Sequence, residues 1–64
     1  MHDLAEQIKK SRMKKGLTQK ELAEKVGCGR WHIINLEKGK ISKRAMMTMK
    51  VVAILKIPLK YLSE

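Results

Sequence analysis

Gly16-Leu17-Thr18-Gln19-Lys20-Glu21-Leu22-Ala23-Glu24-Lys25-Val26-Gly27-Cys28-Gly29-Arg30-Trp31-His32-Ile33-Ile34-Asn35-Leu36-Glu37-Lys38-Gly39 is the stretch that decides the fold. Thr18 followed by Glu21 has the T-x-x-E spacing of a capping box, so a helix opens there. Leu22, Ala23 and Val26 lie at helical spacing behind it, and Gly27 ends the segment. A second helix runs from about Arg30 to Lys38, with Ile33 and Leu36 turned inward and Gly39 after it. Between the two lies Val26-Gly27-Cys28-Gly29, a tight corner of about three or four residues. Ala23 is small where the second helix must cross closely, and a bulkier side chain would push the pair apart.

Outward from that corner the chain continues as helices. Asp3 and Glu6 have the spacing of a cap and its capping-box partner. Leu4, Ile8 and Met13 mark the apolar side of helix one, and Lys14, Lys15 and Gly16 close it with cations and a glycine suited to positive φ. Helix four starts between Ser42 and Arg44 and ends near Leu55, followed by a last turn or two from Pro58 to Leu62, proline being tolerated best at a helix start. No segment alternates apolar and polar residues long enough for a strand. On a helical wheel Ala45, Met49 and Val52 share one face, the expected core, and Met47, Val51 and Ile54 form a second stripe roughly opposite. A helix that is apolar nearly all round must be buried on more than one side, and a 64-residue chain has little body to do so. A homodimer is therefore expected, with Met47, Val51, Ile54, Ile57 and Tyr61 at its interface.

Fifteen Lys and Arg against six Asp and Glu give a net charge of +9, the electrostatic footprint of a polyanion binder. Cys28 is the single cysteine, so no internal disulfide can form. Neither it nor His2 or His32 belongs to a set with metal-ligand spacing, and no metal or cofactor is expected. A lone thiol fits a reducing cytoplasm. The charged, amphipathic beginning is no signal peptide, and no apolar run approaches the roughly 20 residues of a membrane span. The chain has no nucleophile beside a base, no paired carboxylates at a cleft-like position and no phosphate loop, so an enzyme is not expected. Trp31 and Tyr61 are the whole aromatic complement, too little for the stacking platforms that bind RNA.

From about Ile8 to Leu62 the chain resembles the Cro/repressor (XRE-type) helix-turn-helix family of phages and bacteria. The matching residues are the string from Gly16 to Gly27, then Ile33, Leu36-Glu37 and Gly39-Lys40, with Lys50, Leu55 and Ile57 beyond the motif. The resemblance implies an all-α, five-helix lambda-repressor-like fold, a single domain over 1–64 with its motif at about 19–38. Helix three would enter the major groove of duplex DNA while helix two lies across the backbone. It makes Arg30, Trp31, His32, Ile34 and Asn35 the base-reading residues, Arg30 suited to guanine and Asn35 to adenine or a phosphate. Thr18, Gln19, Lys38, Lys40, Lys43 and Arg44 would hold the backbone. Arg12 and Glu37 occupy positions that pair, tying helix one to helix three. The chain departs from the family pattern at Gly29, where a Ser or Thr cap is usual, and at Trp31 and Ile34, where polar residues are commoner. The loop before helix four also has Lys43-Arg44 in place of the frequent proline.

Several residues admit two readings. Trp31 could pack on a neighbouring helix, but its position faces away from Ile33 and Leu36, which favours contact with DNA. His32 reads as a neutral hydrogen-bonding residue near the backbone, although its intrinsic titration range would permit a pH response. Cys28 reads as a small buried corner residue in preference to a redox sensor. The resemblance implies a cytoplasmic, nucleoid-associated repressor in a bacterial or phage-infected cell, acting as a dimer on a pseudo-palindrome. So short a chain leaves no room for an effector domain, and no small-molecule effector is expected. The alternative is an antitoxin or regulatory adaptor whose main partner is another protein, since one fold serves several functions.

Overall fold

A computed structural model describes residues 4–42 and 45–62, apart from the side chain of Leu59. Asp3 of the expected first cap, His2, and the backbone-holding candidates Lys43 and Arg44 lie outside the described residues. Among those described there are four α-helices and no strand: α1 (Leu4–Lys14), α2 (Gln19–Val26), α3 (Arg30–Glu37) and α4 (Met46–Leu55). In place of a fifth α-helix, a short 3-10 turn covers Leu59–Leu62, opened by the Tyr61 N–H donating to the Pro58 carbonyl.

Each boundary has a local cause. Thr18 caps α2: its hydroxyl accepts from the Glu21 N–H at 3.0 Å, and the Glu21 carboxylate accepts from the Thr18 N–H at 2.8 Å. Gly29 holds the extended cap conformation ahead of α3 with no side-chain bond. All four helices close the same way. The N–H two or three residues past the end reaches back five positions, in Leu17 to Arg12, Cys28 to Ala23, Lys40 to Asn35 and Ile57 to Val52. This closure needs a left-handed residue just beyond the helix. Gly16, Gly27 and Gly39 supply it without strain, whereas after α4 it falls to Lys56 at φ 57°.

The core joins Leu4 and Ile8 of α1, Leu22, Ala23 and Val26 of α2, Ile33 and Leu36 of α3, and Val51, Val52 and Leu55 of α4, with Ile57 behind. Helix α2 packs chiefly on α3, and α1 and α4 close over the pair. Met13 is 60% exposed and off the apolar side. The i+4 steps from Leu4 through Ile8 lead instead to Arg12, which is buried.

Helix α4 is rotated from the expected orientation. Thr48, Val51, Val52 and Leu55 face inward, while Met49 is 54% exposed. The stripe begins on a polar residue that an apolar count passes over. Thr48 tolerates complete burial because its hydroxyl donates to the Ser42 carbonyl at 2.7 Å. Val51 and Ile57 are therefore core residues and not a dimer surface: Val51 has no exposed area, and the closure after α4 turns Ile57 back onto the core. Met47, Ile54 and Tyr61 pack half-buried against the same core.

Candidate nucleic-acid interface

Helix α3 is anchored by Ile33 and Leu36, so its opposite side points away from the body. Trp31 stands there, 67% exposed, beside exposed Arg30. His32, Ile34 and Asn35 are half-buried on the flanks. The Asn35 Nδ2 donates to the Trp31 carbonyl at 2.9 Å, which fixes the amide and leaves its Oδ1 and one N–H for other partners. The Trp31 and His32 rings meet edge to face, with centroids 5.0 Å apart and planes at 65°.

Beside this face lies the start of α2. Thr18 is exposed, its hydroxyl engaged in the capping box. Gln19 is half-buried and its Nε2 donates to Glu37 Oε1 at 3.1 Å. Glu37 in turn accepts from Arg12, at 2.6 Å from Nε to Oε2 and 3.3 Å from Nη2 to Oε1. The other Arg12 nitrogen, Nη1, donates to the Leu17 carbonyl at 2.7 Å. One carboxylate thus binds α1, α2 and α3 together, and it orients the Gln19 amide with a second N–H still available.

Lys38 and Lys40 are exposed just past α3. The segment after them is tied down at Ser42, whose carbonyl accepts from both the Thr48 hydroxyl and the Ala45 N–H. Thr48 is a positioning residue that the sequence reading missed. It stands three, four and seven residues before Val51, Val52 and Leu55, the spacing of one buried face, one of several that the apolar sequence of α4 allows.

At the corner, Cys28 is half-buried and not fully enclosed. Burial pushes its thiol up from the ordinary range, opposed by the positive charge of Lys50. Lys20, Ala23, Glu24, Cys28 and Arg30 line a shallow groove between α2 and the beginning of α3. Among the described residues no cluster of three His, Cys, Asp or Glu side chains could hold a metal ion, and no helix is long and apolar enough to cross a membrane.

A family model described as helix-turn-helix matches residues 8–62. A protein of Methanothermobacter thermautotrophicus named "Uncharacterized HTH-type transcriptional regulator" is 44% identical over 48 residues, covering 75% of this chain and 70% of its own length. One of Archaeoglobus fulgidus with the same name is 43% identical over 47 residues, covering 73% of this chain and 67% of its own. No solved structure matches. Because the family match takes in both helices of the motif and the α1 and α4 residues packed beneath them, the chain belongs to the XRE-type helix-turn-helix family of DNA-binding transcriptional regulators.

Proposed function

We propose that this chain is a single lambda-repressor-like domain over residues 1–64 that binds duplex DNA sequence-specifically and acts as a Cro-like repressor. The observation that carries the reading is the outward face of α3, where Arg30 and a 67% exposed Trp31 stand opposite the Ile33 and Leu36 anchor. With α3 in the major groove, Arg30 donates to guanine, Trp31 meets a thymine methyl or a sugar edge, and Asn35 reads adenine. Ile34 adds apolar contact. Gln19, held by Glu37, directs its second N–H to a phosphate, and Thr18, Lys38, Lys40, Lys43 and Arg44 supply the other backbone contacts of this reading.

Selection of bound sequences from a random duplex library tests this directly. The expected result is a defined site, at which Arg30→Ala relaxes preference at one base pair and costs about 1–3 kcal/mol of binding. Recovery of no preferred sequence, or an Arg30→Ala effect equal on all sequences, would remove the base-reading role.

The binding unit we propose is a homodimer on a pseudo-palindrome with half-sites about one helical turn apart. With Val51 and Ile57 in the core, its support is the outer side of α4, where Met46 is 76% and Met49 54% exposed. The same two methionines favour the second reading, an adaptor that docks another protein. Selected sites without two-fold symmetry, together with a monomer in sedimentation, would favour that reading.

A further inference from the structure

His32 sits on the flank of α3, between outward Trp31 and inward Ile33, and it is half-buried. Its two ring nitrogens face different surroundings. Nδ1 is buried and has no hydrogen-bond partner among the described residues. Nε2 is not enclosed in this way and is the nitrogen open to solvent. The ring is held edge-on to Trp31 at 5.0 Å. The amide one turn along, Asn35, donates to the Trp31 carbonyl and makes no bond to Nδ1.

A neutral imidazole carries one proton, on one nitrogen or the other. On Nδ1 it would make a buried N–H with no acceptor, the kind of orphan that folded proteins rarely leave. On Nε2 it leaves only a lone pair inside and puts the donor where water can satisfy it. We propose that His32 is held as the Nε2–H tautomer and presents that single donor to a hydrogen-bond acceptor of the bound duplex. This rests on α3 being the DNA-facing element. The chemistry is selective: a lone donor can meet guanine N7 or O6, adenine N7, thymine O4 or a phosphate oxygen, but cannot accept from the amino groups of adenine or cytosine.

The tautomer is measurable in the free 64-residue chain by long-range 15N–1H correlation spectroscopy under mildly alkaline conditions. The expected pattern is a protonated Nε2 and a bare Nδ1; the reverse pattern overturns the proposal. The second measurement is binding to the duplex recovered by selection. His32→Gln places an amide donor near the Nε2 position and should keep most of the affinity. His32→Asn places its donor near the Nδ1 position and should lose about tenfold, the order of one hydrogen bond to a charged or well-aligned partner. Equal behaviour of the two variants overturns the proposal.

Replacing single guanines by 7-deazaguanine, or single phosphates by methylphosphonate, then locates the acceptor. The modification that matters should weaken wild type and leave His32→Ala unaffected. If the protein binds no duplex at all, the DNA reading fails, and the spectrum of the free protein still decides the tautomer separately.

Discussion

Lys56 holds the left-handed position that glycine fills after the other three helices. A side chain there costs about 1–2 kcal/mol, because Cβ crowds the following carbonyl. Lys56→Gly should therefore raise stability by roughly 1 kcal/mol, a shift of about 4–8 °C in the thermal midpoint for a domain of this size. An unchanged or lower midpoint in calorimetry would show that the lysine side chain compensates. Cys28 makes a second residue-scale prediction. Its thiol is pushed up by burial and pulled back by Lys50, so it stays protonated further into the alkaline range than a free cysteine. Alkylation by iodoacetamide in mildly alkaline buffer should be slower than for free cysteine, and slower again in Lys50→Ala. The sign for stability follows: the fold favours the protonated thiol, so this contribution is present at low pH and is lost as pH rises through the folded thiol's range.

At the scale of elements, the capping box and the Glu37 junction decide whether α2 and α3 meet at the right angle. Thr18→Ala removes the acceptor for the Glu21 N–H and should cost about 1 kcal/mol in denaturant unfolding. Glu37→Ala is far more severe. It leaves the Arg12 guanidinium buried without its carboxylate, the pair's side chains being only 11% and 5% exposed. The expected cost is about 3–5 kcal/mol, against a total of about 5–15 kcal/mol for an ordinary domain. Replacing both partners together, with Arg12→Met and Glu37→Leu, should cost less than Glu37→Ala alone, because no buried charge is stranded. A double variant less stable than the single one would show that the Arg12 bond to the Leu17 carbonyl or the Gln19 contact matters more than the pair.

For the whole molecule, a net charge of +9 sets the energetics of binding. Each phosphate neutralised on duplex DNA releases counterions, and affinity falls with salt at a slope of about −0.9 per contact. Lys40→Ala should weaken all duplexes alike and make that slope shallower by about 0.9 in a titration of binding against salt. An unchanged slope would take Lys40 off the backbone. The same charge opposes self-association, so any dimer needs a strong apolar contact. Met49→Lys, on an exposed position, should shift sedimentation towards monomer while leaving the thermal midpoint of the monomer unchanged. A dimer that survives the substitution would place the contact elsewhere.

The local parts of the motif were legible in the sequence because short-range physics specifies them. Thr18 and Glu21 satisfy each other across one turn, Gly27 supplies a backbone conformation that few residues share, and Ile33 with Leu36 mark one side of a short helix. These features left Trp31 on the outer side of α3 before any packing was known. Tertiary structure alone decided the rotation of α4. Its sequence is apolar on nearly every side, so periodicity could not choose a core face. In the folded chain the buried face carries Thr48, bonded to Ser42 in the loop before the helix. Val51 lies inward on that side and Met49 faces out. Arg12, a charged residue that composition alone assigns to the surface, is the third inward position of α1, where Glu37 of α3 receives it.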